Sequence, residues 1–348
     1  MSTGLRPVYR YLWIRRFYMI TVAKKNGDYA SVQAAVDAVA AKYEALTDEE
    51  KEAWQGETIH IAVGVYEEQV EVHVPKLHLI GENLVTEQVD RQHTTVITGS
   101  LYGKMPREDI GKLGTFRTYT MLVDAPDVCI ENLTIENTAG FGPEIGQAVA
   151  LYADAEHFHA KNVFLLGHQD TLFTGPLPEK EREVNGFFGP RVDAPRVNTH
   201  QWYESCYIEG NVDFIFGSAS ALFEHCTLFQ LGPYGYLTAG SQRAGQPVGY
   251  VFSDCQILGD AAPGSSYLGR PWRDDANASF IHCYLGEQLS PVLFHPWKTT
   301  MPEATRYAVY DCYGPAWHPD HKLPTTVMLN EITADRILAE AKKICCNR

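Results

Sequence analysis

The sequence predicts an all-β fold, a parallel β-helix (solenoid) with an N-terminal capping helix and a short C-terminal helix. Three observations support this prediction: short strand-like runs, a repeat of 20 to 29 residues, and helical periodicity confined to the two ends of the chain. A solenoid buries the apolar face of each coil only by stacking it on its neighbours, so short strands must recur at a nearly fixed interval.

The strand-like runs begin after Gly56 and are rich in Val, Ile and Phe, with Gly, Asn and Asp between them. They read TIHIAVG, LHLIG, TVITG, VCIENLTIEN, VALYADA and NVFLLG. An antiparallel sandwich would instead need tight hairpin turns such as Asn-Gly between its strands. The Asn26-Gly27 pair precedes the first helix, so the pattern favours parallel coils.

The repeat is clearest where Val163–Asp170 (VFLLGHQD) superimposes on Cys206–Asp213 (CYIEGNVD). The same register continues through a series of cysteines spaced 20, 29, 28 and 29 residues apart, namely Cys206, Cys226, Cys255, Cys283 and Cys312. We expect these small apolar side chains to point inward and to stack from coil to coil.

Two helices are predicted near the N-terminus. Ser31–Leu46 places Val32, Ala35, Val36 and Val39 on one stripe at helical spacing. Thr47 and Glu50 form a capping box for a short second helix. A further amphipathic helix is expected from about Ile332 to the end of the chain.

Composition limits the possible partners. Lys and Arg number 29 and Asp and Glu 43, which gives a net charge of −14. This excess disfavours nucleic acid and anionic membranes as partners. An acidic glycan would have to be held by local basic residues or be neutralised as an ester.

The N-terminal segment does not have the pattern of an export signal. Arg6, Arg10, Arg15 and Arg16 interrupt it, whereas a signal peptide places its charges before an apolar core. We therefore expect a cytoplasmic protein, or a secreted one if the N-terminus is misassigned. The eight cysteines then predict reduced, buried thiols, and without a C-x-x-C pair no zinc site is expected.

Two aspartates occupy equivalent places in the repeat. Asp170 and Asp213 are 43 residues apart, and the length beyond one coil lies in Thr174–His200, which is rich in Pro and Gly and predicts a long loop. The two carboxylates should then lie on adjacent coils, ~4.8 Å apart at the backbone. Repulsion between them would leave one protonated and one ionised, the division that acid–base catalysis uses. The simpler alternative is that each Asp only caps a turn.

Four segments resemble, in order, the sequence blocks of the pectin methylesterase family, and the long loop resembles its bacterial-type members. They are GQAVALY (Gly146–Tyr152), GHQDTLF (Gly167–Phe173), GNVDFIFGSA (Gly210–Ala219) and LGRPW (Leu268–Trp272). The resemblance implies a right-handed parallel β-helix. It also implies hydrolysis of the methyl esters of homogalacturonan (pectin) or oligogalacturonides with release of methanol, and no metal or organic cofactor.

The resemblance also implies the role of each site residue. Asp213 would be the nucleophile that forms an acyl-enzyme. Asp170 would protonate the departing methanol and then activate water. Gln147 and Gln169 would donate to the oxyanion, and Arg270 would keep Asp213 ionised and oriented.

Three aromatic residues are candidates for substrate binding. Trp272 would offer a flat face to a sugar ring, and Phe173 and Phe214 would line the groove. Packing in the core is the alternative for all three.

The resemblance leaves other functions open. A pectate lyase or polygalacturonase on the same architecture would not need the paired glutamines. An inactive carbohydrate-binding β-helix, or an esterase or thioesterase for another acyl substrate, also remains possible. For domains, the sequence predicts an N-terminal extension (1–16), a catalytic β-helix (17–325) and a helical tail (326–348), working as a monomer on a galacturonan.

Overall fold

A computed structural model describes residues 19–83, 93–318 and 326–346, so the predicted extension at 1–16 lies outside the described residues. Three parallel sheets wind around a common core, and successive coils add a strand to each sheet in turn. The architecture is a right-handed parallel β-helix, which confirms the predicted fold class.

The first sheet has eleven strands, in sheet order Ile20–Val22, Glu57–Ile61, Leu77–Gly81, Cys129–Glu131, Phe158–Lys161, His200–Glu204, Ser220–Glu224, Tyr250–Ser253, Asn277–Ile281, Arg306–Tyr310 and Val327–Met328. The second has eight, Gly64–Glu67, Thr95–Gly99, Thr134–Asn137, Phe164–Leu166, Tyr207–Gly210, Thr227–Gln230, Gln256–Gly259 and Tyr284–Leu285. The third has seven, Val70–Val72, Met121–Val123, Leu151–Ala153, Leu172–Thr174, Val212–Gly217, Gly235–Gly240 and Ser266–Pro271. A small antiparallel hairpin, Pro106–Arg107 with Gly111–Lys112, and a 3-10 turn, Thr115–Arg117, lie outside these sheets.

The predicted cysteine ladder is present at the corner between the first and second sheets. The five thiols from Cys206 to Cys312 are at most 3% exposed. The residue before each thiol has a left-handed backbone, with φ between 45° and 55° in Ser205, His225, Asp254, His282 and Asp311. This conformation turns the chain sharply, and short polar residues tolerate it best. The corner therefore directs each following thiol into the core.

The helices agree closely with the sequence. The first spans Val32–Glu44, and its buried stripe packs against the start of the β-helix. The second spans Asp48–Glu52 and has the predicted capping box between Thr47 and Glu50.

The C-terminal helix, Glu331–Cys345, packs on the outer face of the first sheet, where Ala334, Ala341 and Cys345 meet Leu222 and Val251.

The predicted domain limits stay a prediction. Among the helices of the described ranges, none is both long enough and apolar enough to cross a membrane.

Candidate active site

A cleft lies along the outer face of the third sheet, which is where the residues of the sequence motifs converge. Its lining combines polar strand residues with aromatic residues from loops: Thr115, Phe116, Gln147, Gln169, Asp170, Arg182, Glu183, Gly186, Phe187, Asp213, Phe216, Ala239, Arg270, Trp272 and Trp297. All five predicted catalytic residues are in this set.

The β-helix brings these residues together by stacking coils. Ala148 N–H donates to the carbonyl oxygen of Gln169 at 3.0 Å, and Asp170 N–H donates to that of Val212 at 3.1 Å. Gln147, the Gln169–Asp170 pair and Asp213 thus occupy three consecutive coils. The strands that follow them align Leu172 with Ile215, a separation of 43 residues, as the repeat predicts.

Local backbone geometry turns both aspartates toward the cleft. Asp170 and Asp213 adopt left-handed conformations, with φ of 66° and 53°. Asp213 also lies in a β-bulge, because the register against the next strand shifts between Val212 and Ile215. Bulges commonly redirect a side chain beside an active site. Here the bulge separates Asp213, which lines the cleft, from Phe214, which enters the core.

Arg270 holds Asp213 from two coils away. Its Nε donates to Asp213 Oδ1 at 2.9 Å and its Nη2 to Oδ2 at 2.7 Å. The guanidinium carbon lies 4.0 Å from the ring centroid of Tyr236 and 4.1 Å from that of Trp297. Ala239 pairs with Arg270 on the intervening coil, and its small side chain leaves the guanidinium room to reach Asp213. Two hydrogen bonds and two aromatic contacts therefore fix the orientation of this ion pair.

The two carboxyl groups differ in their tendency to ionise. Burial, followed by repulsion from Asp213, holds the pKa of Asp170 well above its usual range. Burial also raises the pKa of Asp213, but the hydrogen bonds and charge of Arg270 oppose this rise. Of the two carboxyls, Asp170 is therefore the one that holds a proton more readily, and Asp213 is the one that more readily carries the negative charge.

Gln147 and Gln169 line the cleft on the side of Asp170, and both side chains are partly exposed. A hydrogen bond from Gln169 to Asp170 opposes the rise in the pKa of that carboxyl. The amide oxygen of Gln147 lies against Gly103, where a Cβ would approach it to 2.9 Å. The absence of a side chain at Gly103 therefore leaves room for this amide. No group of three His, Cys, Asp or Glu side chains in the described part of the chain is arranged to hold a metal.

Two of the predicted substrate-binding residues are in the interior, which corrects the prediction. Phe173 and Phe214 are both 0% exposed. Phe173 lies beneath Phe116, with ring centroids 5.1 Å apart, and Phe214 points into the main core because of the bulge at Asp213. Phe216 lines the cleft instead.

Trp272 lies in the cleft wall, as the sequence predicts. Phe187 and Phe216 meet its ring edge-on, at centroid distances of 6.1 and 5.8 Å. Arg273 lies over the same ring, 4.7 Å from its centroid. Binding of a sugar by this indole stays a prediction.

The sequence did not identify several residues that complete the cleft. The predicted loop between Thr174 and His200 contributes Arg182, Glu183, Gly186 and Phe187 to the lining, so it forms one wall of the cleft. Phe116 and Trp297 come from irregular segments where the repeat is interrupted. The mixed charges and aromatic residues of the loop are the sequence features that indicate its role in lining the cleft. No sequence feature of this kind indicates such a role for Phe116 or Trp297.

Comparisons with known proteins identify the family of this chain. The pectinesterase family model matches residues 19–179 and 196–333. Pectinesterase 31 of Arabidopsis thaliana is 31% identical over 86% of this chain and 83% of its own length. Probable pectinesterase A of Neosartorya fischeri is 32% identical over 82% of this chain and 75% of its own length.

Solved structures agree on the fold. The pectin methylesterase PemA of Erwinia chrysanthemi has a TM-score of 0.71 at 24% identity, covering 94% of this chain and 97% of its own. The carrot pectin methylesterase also has a TM-score of 0.71, at 22% identity, covering 96% and 92%. The chain therefore belongs to the pectinesterase family, the carboxylic ester hydrolases that remove methyl esters from pectin.

Proposed function

We propose that this chain hydrolyses the methyl esters of galacturonan through an acyl-enzyme on Asp213, with Asp170 as the acid and base. The observation that supports this most directly is the unequal environment of the two carboxyls. Asp213 is held by Arg270 at 2.9 and 2.7 Å, whereas Asp170 is buried next to it with a strongly raised pKa. An ionised carboxylate beside a protonated one provides a nucleophile and an acid at the same time.

In the first half of the reaction, an Oδ of Asp213 attacks the ester carbonyl carbon. The carbonyl oxygen becomes an oxyanion, to which the side-chain amides of Gln147 and Gln169 can donate. As the tetrahedral intermediate collapses, the bond to the methoxy oxygen breaks. Asp170 gives its proton to that oxygen, so that methanol leaves and an anhydride joins Asp213 to the sugar carboxyl.

In the second half, Asp170 is ionised and accepts a proton from a water molecule as that water attacks the anhydride. The bond to Asp213 breaks, which releases a free galacturonate carboxyl and restores the Asp213 carboxylate. Asp170 ends the cycle protonated. Atoms and protons balance with one ester and one water consumed and one acid and one methanol formed.

The test is methanol release from highly methylated pectin and from methylated trigalacturonate, comparing wild type with Asp213→Asn. The substitution keeps the size of the side chain and removes the nucleophile, so we expect release to fall by at least about 10³-fold on both substrates. Circular dichroism and the melting temperature would show that the variant is folded. Release that persists in a folded Asp213→Asn variant would contradict the assignment of the nucleophile, and no release by folded wild type would contradict the activity.

We also propose that the chain works as a monomer, with neither nucleic acid nor a membrane as a partner. The net charge of −14 supports the exclusion of polyanionic partners. Light scattering across a range of concentrations tests the monomeric state. Co-sedimentation with anionic vesicles or with DNA tests the proposed lack of binding to membranes and to nucleic acid.

A further inference from the structure

The outer face of the first sheet carries a second cluster of nucleophilic and basic side chains, on a different sheet from the cleft. Cys129, His159 and Trp202 are in register on three consecutive coils. The residues that follow the first two of them, Ile130 and Ala160, belong to the main core. Because side chains alternate between the two faces of a strand, Cys129 and His159 point outward.

A thiol, an imidazole and a carboxylate follow one another across these coils. Cys129 Sγ lies 3.8 Å from Nδ1 of His159, and Nε2 of the same ring lies 3.2 Å from Glu204 Oε2. An ionised carboxylate only accepts hydrogen bonds, so Nε2 carries the hydrogen and Nδ1 of the neutral ring is the acceptor. Glu204 thus selects the tautomer that can take a proton from the thiol. A nucleophile beside a base that a third group orients is the arrangement that activates the nucleophile.

Trp202 supports the charged form of this imidazole. Its indole stacks on the His159 ring, with centroids 4.1 Å apart and planes inclined by 3°. The indole is itself held in place, because its Nε1 donates to Glu224 Oε2 at 3.0 Å. The face of an indole attracts a cation, and so does the carboxylate at Nε2, so both neighbours stabilise an imidazolium. An imidazolium next to sulfur in turn favours the thiolate, which is the reactive form.

The other buried thiols have a different environment. The five thiols of the cysteine ladder each donate to a backbone carbonyl oxygen of the preceding coil at 3.3 to 3.5 Å, and Cys345 donates to that of Ser220 at 3.5 Å. A sulfur that donates to a carbonyl oxygen has to keep its proton. Cys129 is also closer to the surface, at 7% exposed against at most 3% for these six.

We propose that Cys129 is a reactive thiol that takes up small soft carbon electrophiles, with His159 as its base and Glu204 as the group that orients the base. The thiol proton moves to Nδ1 of His159, and the thiolate sulfur attacks the carbon with its lone pair. A carbon–sulfur bond forms while the bond from that carbon to its leaving group breaks, and the leaving group departs with the bonding electrons. His159 then releases the proton to water.

Alkylation resolved by site tests the reactive thiol on the full chain. The probe is iodoacetamide in limiting amount at neutral pH, and peptide mass spectrometry measures the rate at each cysteine. Cys346 is more exposed than Cys129, so exposure alone would make Cys346 react first. We expect Cys129 to react about tenfold faster than Cys346, because its imidazole partner supplies the thiolate. A rate at Cys129 equal to or below the rate at Cys346 would overturn the proposal.

Two substitutions examine the base and the group that orients it. His159→Gln removes the base, and we expect the alkylation rate at Cys129 to fall about tenfold. Glu204→Gln keeps the size of the side chain and removes the charge that selects the tautomer, so the rate should fall about fivefold. Melting temperatures show which variants are folded. A wild-type rate at Cys129 in either folded variant would overturn the role assigned to the residue that it replaces.

The matched control is Glu209→Gln, because Glu209 lies on the same coil as Glu204 but in the second sheet, where it accepts from Tyr207 at 3.0 Å. It removes the same formal charge at a distance from the imidazole, so the rate at Cys129 should stay within about twofold of wild type. An equal fall in Glu209→Gln and Glu204→Gln would overturn the role of Glu204. Alkylation is measured without substrate, so failure of this proposal and failure of the proposed esterase activity are separate results.

Discussion

Arg270 and Asp213 lie two coils apart and are joined by two parallel hydrogen bonds, Nε to Oδ1 at 2.9 Å and Nη2 to Oδ2 at 2.7 Å. Lysine carries the same charge but cannot make this paired contact. We expect Arg270→Lys to lower kcat about 10²-fold, because the nucleophile loses its fixed orientation. Since Arg270 opposes the rise in the pKa of Asp213, that pKa should rise in the variant. The acid limb of the pH profile of methanol release would then move to higher pH.

The control for this prediction is Arg306→Lys, since Arg306 donates to the carbonyl oxygen of Gln246 at 2.8 Å and does not line the cleft. Its pH profile should match that of wild type. An Arg270→Lys variant with an unshifted acid limb would mean that the ion pair does not control the ionisation of Asp213.

Tyr236 is expected to act as a positioning residue through Arg270. Its ring centroid is 4.0 Å from the guanidinium carbon, a contact that can stabilise the cation by about 1 kcal/mol. Tyr236→Leu should therefore lower kcat about fivefold and leave KM nearly unchanged. The matched control is Tyr267→Leu, whose ring stacks on Tyr236 at 5.4 Å without lying over Arg270. Equal effects of the two substitutions on kcat would argue for a general packing role instead.

The sequence predicted the coil register and the paired aspartates because both follow from one repeat. Asp170 and Asp213 occupy the same place in two coils, so counting along the chain was sufficient to bring them together. Thr47 and Glu50 were equally predictable, since a capping box depends only on a spacing of three residues.

The errors arose where the repeat is interrupted. Phe214 was assigned to the groove, but the bulge at Asp213 changes which side of the strand each residue occupies. The burial of Phe173 depends on Phe116, which covers it from a segment distant in the sequence. Arg182 and Trp297 contact the site through loops whose path no periodic pattern describes.

Gln147 gives a prediction about the oxyanion. An amide donor aimed at developing negative charge can be worth ~3 kcal/mol in the transition state. We expect Gln147→Leu, which has a similar shape and no donor, to lower kcat about 10²-fold with little change in KM. Steady-state methanol release with methylated trigalacturonate measures both constants. A rise in KM with normal kcat would instead make Gln147 a residue that only binds the substrate.

Asp170 links the site to stability. Its folded pKa is raised well above its unfolded value, mainly by burial. Its contribution to the free energy of unfolding is therefore fully present below pH ~3.9, and it is lost as the pH rises through the folded pKa. Asp170→Asn cannot ionise. The free energy of unfolding of the variant relative to wild type should thus increase with pH, by about 1.4 kcal/mol for each unit by which the folded pKa is raised, and then level off.

Urea unfolding between pH 4 and 9 measures this difference. A flat difference for Asp170→Asn would mean that Asp170 is ionised in the folded protein at low pH. That result would remove the basis for assigning Asp170 as the acid.

Arg191 anchors the loop that walls the cleft. Its Nε donates to Asp154 Oδ2 at 2.9 Å and its Nη1 to Asp124 Oδ2 at 3.1 Å, which ties the loop to two neighbouring coils. Arg191→Met would leave the buried Asp154 without its partner. Because the arginine side chain is 24% exposed, we expect a loss of about 2 kcal/mol in the free energy of unfolding, less than for a fully buried pair. Trypsin should also cut the loop faster at Lys180.

The double variant Arg191→Met with Asp154→Asn separates electrostatics from anchoring. It removes the unpaired carboxylate, so part of the lost stability should return, while the loop stays detached from the coils and sensitive to trypsin. Detachment would move Phe187 away from Trp272, from which its ring centroid is now 6.1 Å, and KM should rise in both variants. Loop cleavage at the wild-type rate in both variants would show that the aromatic contacts of Phe187, rather than Arg191, hold the wall of the cleft in place.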